Sequence, residues 1–321
     1  MRSFSKVDVG ASILHLKQLT AQGNEPTLST VMSRGLSLEV FEWPVVEPTR
    51  TPIVFVHGYL DNASAWFPLT NTLARSWPCI SFSLAGHGRS DWAPTYQWID
   101  FVFDLRMVIM RLTNRPVCLV AHSMGAHIAS CLAYYYPDLV ERLVVIDGFS
   151  PQRKAPDDYS VMRSLSDSLG RLDREATWPT RYGSFDEIFE RRHELTPRIP
   201  REVLRPIVEN GTVQTNLGWT WSADYLLSDR YFPWESRFGR PVDVMSLWAA
   251  TPKPTLLMSG GLEEASHLTP KRTIAWQAEQ TIPHIRHSHF ADCGHYLHLE
   301  SSDRATAEIV EFLEQPHKKG T

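Results

Sequence analysis

Five short, mainly apolar runs constrain the fold of this chain more than any other feature. Four of them are apolar throughout, without the alternation of a half-exposed strand, and a strand that is buried on both faces needs this pattern. Helical stretches separate the runs, and from Trp98 to Leu112 apolar residues recur at spacings of three and four. This alternation predicts an α/β fold with a mostly parallel sheet and helices on both faces. The runs are Ile53–Val56, Ile80–Leu84, Val117–Ala121, Leu143–Ile146 and Leu256–Met258.

The distribution of these runs also divides the chain. Residues 27–148 and 251–321 contain all of the runs, and we predict that they form the core domain. Residues 149–250 contain helical segments and many aromatic residues but no such run, which predicts a helical cap inserted between two core strands. Residues 1–26 end in a polar stretch and are predicted to be an N-terminal arm.

Charge and composition narrow the function classes. The chain has 321 residues and a formal net charge of −4, so it lacks the basic field that nucleic-acid binding requires. No stretch approaches the roughly 18 apolar residues of a membrane span, and the first residues lack the apolar segment of a signal peptide. The four cysteines form no Cys-x-x-Cys pair, which indicates free thiols in a reducing compartment. We therefore expect a soluble, cytoplasmic monomer or homodimer that takes a small-molecule substrate and binds neither nucleic acid nor membrane.

The strongest functional motif runs from Val120 to Ala126 and has the form small-x-Ser-x-Gly. It follows a buried strand directly and precedes a helix directly, which is the context of a nucleophile elbow. A turn this tight needs small residues on either side of Ser123 and presents its hydroxyl above the strand end. Ser123 is therefore the predicted nucleophile, and the backbone N–H of Met124 at the helix N-terminus is a predicted oxyanion donor.

A second motif, His57-Gly58-Tyr59, follows the first buried run. Acyl transfer needs two N–H donors for the oxyanion, and Gly58 allows the backbone to turn close to a substrate. We assign the second donor to the backbone N–H of Tyr59. His57 is expected to orient this loop.

A third motif, Cys293-Gly294-His295, follows the predicted last strand, Ile285–Phe290, and precedes the last helix. A histidine on such a loop is placed to act as a base toward Ser123, and His295 is the predicted base. His298 is the near alternative, although its position is more typical of a supporting residue.

These motifs together resemble the α/β-hydrolase family and appear in the family's order across about residues 28 to 315. The stretch from His57 to Ser64 resembles the serine-hydrolase-like subgroup more specifically. The resemblance implies an α/β-hydrolase fold with a Ser–His–acid triad. The motifs that carry it are His57-Gly58, Gly86-His87-Gly88-Arg89-Ser90, Ala121-His122-Ser123-Met124-Gly125 and Gly294-His295.

The acid of the implied triad is ambiguous. The family's usual position is the loop after the penultimate strand, where Glu263 stands in this sequence. Some relatives place the acid one strand earlier, and Asp147 matches that position. Both residues stay open as candidates, with Glu264 and Asp292 behind them.

A Ser–His–acid set fits the hydrolysis of a carboxylic ester or thioester through an acyl-enzyme. The same apparatus serves acyltransferases and carbon–carbon bond hydrolases, and a ligand-binding protein of this fold with little turnover is the alternative from another class. The aromatic-rich part of the cap, with Trp219, Trp221 and Trp234, is predicted to line a pocket for an apolar group. We expect no cofactor and no metal, because the chain has neither a phosphate-binding Gly-x-x-x-x-Gly-Lys motif nor a His-Glu-x-x-His helix.

Overall fold

The computed structural model describes residues 25–45, 49–148, 181–227, 244–262 and 271–315. Ten strands lie within these ranges, and six of them (β3, β4, β5, β6, β9 and β10) overlap the five predicted runs and the predicted last strand. They are β1 (Thr27–Ser33), β2 (Leu36–Trp43), β3 (Ile53–Val56), β4 (Cys79–Phe82), β5 (Val117–His122), β6 (Val140–Ile146), β7 (Thr212–Thr215), β8 (Gly218–Trp221), β9 (Thr255–Gly260) and β10 (Ile285–Phe290).

Nine α-helices lie in the same ranges. They are α1 (Phe67–Leu73), α2 (Trp98–Leu112), α3 (Met124–Tyr135), α4 (Phe185–Leu195), α5 (Arg201–Asn210), α6 (Val244–Ala250), α7 (Lys271–Thr281), α8 (Leu297–Glu300) and α9 (Ser302–Glu314). None of the helices in the described ranges has the length and apolar character that a membrane crossing requires.

Eight of the strands form one sheet in the order β1-β2-β4-β3-β5-β6-β9-β10. The pairs β1–β2 and β2–β4 are antiparallel, and every other pair in the sheet is parallel. The predicted mostly parallel α/β sheet is thus confirmed. Because parallel strands share a direction, the turns after β3, β5, β6 and β10 all lie at one edge of the sheet.

Strands β3, β5, β6 and β9 are buried on both faces, as their apolar runs predict, whereas the edge strand β10 is only partly buried. In β3, Val54 and Val56 join one hydrophobic cluster, in which α2, α3 and α7 cover the sheet. The alternate residues Ile53 and Phe55 join the cluster on the opposite face, which α1 and α9 cover. Because successive side chains of a strand point to opposite faces of the sheet, one apolar run packs against the helices on both faces.

The part of the predicted cap that the structure describes is not purely helical. Helices α4 and α5 are followed by an antiparallel hairpin of β7 and β8, and Tyr182 extends this pairing through a bridge to Trp219. The two strands are four residues long and only partly buried, so they carry no continuous apolar run that sequence patterning detects. A two-residue turn at Asn216 and Leu217 closes the hairpin.

A buried polar network joins the cap to the turn after β3. The Asn210 side chain, at the end of α5, donates to Glu39 Oε2 at 3.1 Å and to Asn62 Oδ1 at 3.2 Å. In return, Asn62 Nδ2 donates to the carbonyl of Ile207 in α5 at 2.9 Å. Helix α5 of the predicted cap and Glu39 of β2 thus join one hydrogen-bonded network with Asn62, which fixes this turn.

Candidate active site

The elbow motif folds as its sequence predicts. Ser123 connects β5 to α3 with φ 50° and ψ −115°, a backbone conformation that is strained for a residue with a side chain. Its N–H donates to the carbonyl of Ile146 at 3.0 Å, which ties the turn to the neighbouring strand β6. Gly125 is required here, because an added Cβ would collide with the backbone carbonyls of Val56 and His57.

A chain of two hydrogen bonds connects three predicted residues from separate turns. Ser123 Oγ lies 3.1 Å from His295 Nε2, and His295 Nδ1 lies 2.5 Å from Asp147 Oδ2. An ionised carboxylate only accepts hydrogen bonds, so His295 donates through Nδ1–H and its Nε2 accepts from the Ser123 hydroxyl. The neutral imidazole is therefore oriented to receive the serine proton.

Asp147 is held by backbone groups on both sides. Its φ of 46° aims the side chain away from the path of β6, and its N–H donates to the carbonyl of Met258 at 2.8 Å. Its second oxygen, Oδ1, accepts the N–H of Gly260 at 3.2 Å. Both carboxylate oxygens thus have a donor, although the side chain is almost fully buried.

Of the predicted acids that the structure describes, Asp147 is hydrogen-bonded to His295 and Asp292 is not. Glu263 and Glu264 lie outside the described residues. Asp292 has a largely exposed side chain and pairs with Arg304 at 3.1 Å. Among the described carboxylates, Asp147 is the one that is hydrogen-bonded to the base.

The turn after β3 lies against Ser123, the predicted nucleophile. A Cβ added to Gly58 would come within 2.8 Å of His122 Nδ1 and 3.3 Å of Ser123 Cβ, so the glycine permits this close approach. His57 supports the turn, because Nδ1–H donates to the Gly58 carbonyl at 2.7 Å and Nε2 accepts the Leu84 N–H at 2.9 Å. Burial lowers the pKa of His57 well below its ordinary value, which keeps this tautomer neutral.

The two predicted oxyanion donors are on the two turns that meet here. Tyr59 follows Gly58, and its hydroxyl donates to the Leu227 carbonyl at 2.5 Å. Met124 is fully buried at the first position of α3, where a backbone N–H has no partner within the helix. Their backbone N–H groups remain the predicted donors.

His298 lies behind the site rather than in it. It is fully buried against the rings of Trp66 and His122, with centroids 5.0 and 4.4 Å away. Burial, aided by the nearby His295, lowers the pKa of His298 to about 3. The His122 imidazole in turn donates through Nε2–H to the His295 carbonyl at 2.9 Å. These rings thus pack beneath the loop that carries His295.

A second serine–histidine contact lies on the last two strands. Ser259 Oγ is 2.8 Å from His287 Nε2 and 3.0 Å from His289 Nδ1. Within the described ranges, neither imidazole is hydrogen-bonded to a carboxylate. In the same ranges, no three His, Cys, Asp or Glu side chains come together in a metal-binding arrangement.

The predicted cap aromatics pack mainly within the cap. Trp219 meets Phe185 edge-on, with ring centroids 5.4 Å apart. Trp219 and Trp221 both border the apolar cluster of α4 and α5. Trp234 lies outside the described residues.

Sequence reasoning missed two charged residues beside His295. Asp61 lies in the turn after β3 with 4% of its surface exposed, and burial raises its pKa to about 6. Arg192 extends from α4, with its guanidinium carbon 5.3 Å from the ring centroid of Tyr296. Asp61 interacts electrostatically with Arg192 and with His295, and both interactions partly offset the effect of burial on the pKa of Asp61. The position of Asp61 shortly after the end of β3 could have identified it as a candidate site residue. No local feature distinguishes Arg192 from the other arginines of the predicted cap.

Comparison with known proteins places this site in a family. A family model described as alpha/beta hydrolase fold matches residues 51–302. A serine hydrolase-like protein from Danio rerio is 22% identical over 182 residues, which cover 55% of this chain and 56% of that protein. An (E)-2-((N-methylformamido)methylene)succinate hydrolase from Acinetobacter baylyi is 34% identical over 125 residues, or 39% of this chain and 48% of that protein. The matched region thus spans about half the length of these two relatives.

Solved structures show the same architecture. The thioesterase domain from the curacin biosynthetic pathway superposes with a TM-score of 0.77 at 21% identity, covering 90% of this chain and all of that domain. The resemblance drawn from the motifs is thereby confirmed, together with the fold class. The chain belongs to the alpha/beta hydrolase fold family.

Proposed function

We propose that this protein is a serine hydrolase that cleaves a carboxylic ester or thioester of a small substrate through an acyl-enzyme. The observation that carries the proposal is the hydrogen-bonded chain from Ser123 through His295 to Asp147, at 3.1 and 2.5 Å. Nucleophile, base and orienting carboxylate stand in the order that acyl transfer requires.

In the first half of the reaction, Ser123 Oγ attacks the substrate carbonyl carbon while His295 Nε2 takes the hydroxyl proton. The imidazolium that forms is stabilised by Asp147, which keeps Nδ1 protonated and the ring in position. The carbonyl oxygen becomes an oxyanion between the backbone N–H groups of Tyr59 and Met124. Collapse expels the alcohol or thiol, which receives its proton from His295.

In the second half, water attacks the acyl-enzyme. His295 removes a proton from the water, the tetrahedral intermediate forms in the same oxyanion site, and collapse releases the acid and restores the Ser123 hydroxyl. The names of the relatives support hydrolysis as the reaction class, because they denote a succinate hydrolase and a thioesterase domain.

The test is covalent labelling together with turnover. Purified protein is treated with a fluorophosphonate probe, and the labelled peptide is located by mass spectrometry; p-nitrophenyl esters of short and long acids measure hydrolysis. We expect labelling on Ser123 and ester hydrolysis, and Ser123→Ala should abolish both while circular dichroism stays unchanged.

The matched control is Ser259→Ala, because Ser259 is the other serine that contacts histidine rings. It should retain both labelling and turnover. A wild-type protein that neither labels nor hydrolyses any activated ester would contradict the proposal and favour a ligand-binding role. Product esters formed with an added alcohol, in excess of free acid, would instead indicate an acyltransferase.

A further inference from the structure

Asp61 is a buried carboxylate with one oxygen satisfied and one left over. Oδ1 accepts the backbone N–H of Asn62 at 3.0 Å, and the Asp61 N–H donates to the Gly58 carbonyl at 3.3 Å. Oδ2 is buried and has no hydrogen-bond partner. Leaving a buried polar atom unpaired is costly, and more so when the group carries charge. Asp61 Oδ2 is therefore a strong hydrogen-bond acceptor that the residues of this turn do not use.

Arg192 is the complementary donor on the cap side. One guanidinium nitrogen donates to the Tyr296 hydroxyl at a long 3.3 Å, and the guanidinium lies over the Tyr296 ring. Guanidinium has five N–H groups, so this single contact leaves most of them available. Asp61 and Arg192 influence each other electrostatically, yet no nitrogen–oxygen pair between them is within the 4.0 Å of a salt bridge.

The chemistry of the pair restricts which third group could satisfy both residues at once. An apolar group would leave both charges unpaired, which is the costly state of a broken buried pair. A carboxylate would place a second negative charge beside Asp61, and an ammonium a second positive charge beside Arg192. An uncharged group with both an acceptor and an N–H donor satisfies both residues, and a carboxamide has this arrangement.

We propose that Asp61 and Arg192 form a polar subsite beside His295 that binds a carboxamide-like group of the substrate. Its carbonyl oxygen accepts from the Arg192 guanidinium, and its N–H donates to Asp61 Oδ2. This assignment rests on the proposed hydrolase function and narrows its substrate class from esters and thioesters of small substrates in general to those that carry an amide.

The experiment compares matched esters. Each set has a common chain of three to six carbons that ends in a methyl group, a methyl ketone, a carboxamide or a carboxylate, placed either on the acid of a p-nitrophenyl ester or on the alcohol of a butyrate ester. We expect the wild-type kcat/KM for the best carboxamide ester to exceed that of its methyl-ended partner about tenfold or more, with the ketone between them.

Two variants connect this preference to the pair. Asp61→Asn keeps the Oδ1 acceptor for Asn62 and replaces Oδ2 by a donor, while Arg192→Met keeps an apolar stem over Tyr296. Each should reduce the carboxamide-to-methyl ratio to within about threefold, whereas a structural defect would lower both esters together. Arg205→Met is the control, because Arg205 is a cap arginine that packs on Phe185 and pairs with Glu209; it should keep the wild-type ratio.

Binding of the same esters to Ser123→Ala, measured by calorimetry, tests the subsite without turnover. Failure of wild-type protein to label or hydrolyse would refute the hydrolase, whereas equal affinity for carboxamide and methyl-ended esters would refute the subsite. The subsite is also refuted if the carboxylate ester binds best, or if Asp61→Asn and Arg192→Met keep the wild-type ratio.

Discussion

Two buried aspartates interact with His295, Asp147 through a hydrogen bond and Asp61 electrostatically, and their own hydrogen bonds differ. Asp147, in the turn after β6, has both oxygens hydrogen-bonded, to the His295 imidazole and to the Gly260 backbone. Asp61, in the turn after β3, has one oxygen bonded to its own loop and one without a partner. Both are almost completely buried, so the contrast comes from their partners and not from solvent.

This difference in hydrogen bonding indicates different roles for the two carboxylates. A carboxylate whose acceptors are all occupied by the protein is fixed in place and orients its neighbour. A buried carboxylate with an unpaired oxygen lowers the stability of the fold, and a hydrogen-bond donor that binds to this oxygen removes that cost. We expect Asp147 to control catalysis on every substrate and Asp61 to control which substrate is favoured.

The largest effect should appear at the histidines, where the same contrast recurs. His295 is hydrogen-bonded at both ring nitrogens, whereas both nitrogens of His298 are buried without a partner. His295→Ala should lower kcat for a methyl-ended ester by about 10⁵ to 10⁶, and His298→Ala by no more than about tenfold. Steady-state kinetics measures both, and the reverse ranking would move the base to His298.

The next effect should separate the aspartates themselves. Asp147→Asn puts an amide donor opposite His295 Nδ1–H and should lower kcat by about 10⁴, because the imidazolium loses its counter-charge. On the same methyl-ended ester, Asp61→Asn should stay within about tenfold of wild type. Comparable losses in both variants would show that the two aspartates do not differ in their role.

Glu263→Gln is the control for the acid, since Glu263 is the alternative that the sequence leaves open. It should keep activity within about tenfold of wild type. A loss near 10⁴ in Glu263→Gln, with Asp147→Asn still active, would transfer the acid role to Glu263.

The smallest effect concerns stability and has a defined direction with pH. Burial raises the pKa of Asp61 from 3.8 to about 6, so the native state binds more protons than the unfolded state between these values. The free energy of unfolding must therefore fall as pH rises through this window. Asp61→Asn removes the titration, and its stability relative to wild type should increase from about pH 4.5 to 7.5 by the order of 2 kcal/mol.

Urea unfolding of both proteins at these two pH values measures the difference. Asp147→Asn is the comparison, because it removes an acceptor with two partners and should lower stability at neutral pH. An Asp61→Asn difference that is the same at both pH values would show that Asp61 does not titrate in this window.

The sequence predicts the residues whose signal is local. Ser123 is identified because strand, turn and helix are contiguous, and His295 because a glycine and a loop follow the last strand. The choice between Asp147 and Glu263 is not local. Their strands, β6 and β9, are parallel neighbours that end at the same edge of the sheet. The sequence therefore places both residues at the edge where His295 lies and does not choose between them.

The cap was less predictable for a related reason. Its contacts join residues that are distant along the chain, such as Asn210 with Glu39, and short half-buried strands leave no periodic pattern. The tryptophans were prominent in composition, but packing against Phe185 accounts for the position of Trp219. The sequence could not single out Arg192, because its interactions are with Tyr296 and Asp61, which lie in distant segments of the chain.

The long sequence separation within the site has a consequence for the newly made chain. Ser123 and Asp147 belong to neighbouring strands in the first half of the protein, whereas His295 follows 172 residues after Ser123. A ribosome-bound chain can therefore assemble strands β1 to β6, with the proposed nucleophile and acid, while the proposed base is not yet synthesised. His295 reaches Ser123 once β9 has paired with β6 and β10 with β9. If the proposed triad is correct, we expect the serine to stay unreactive until the last strands are translated, and such late, non-local pairing is also expected to slow folding.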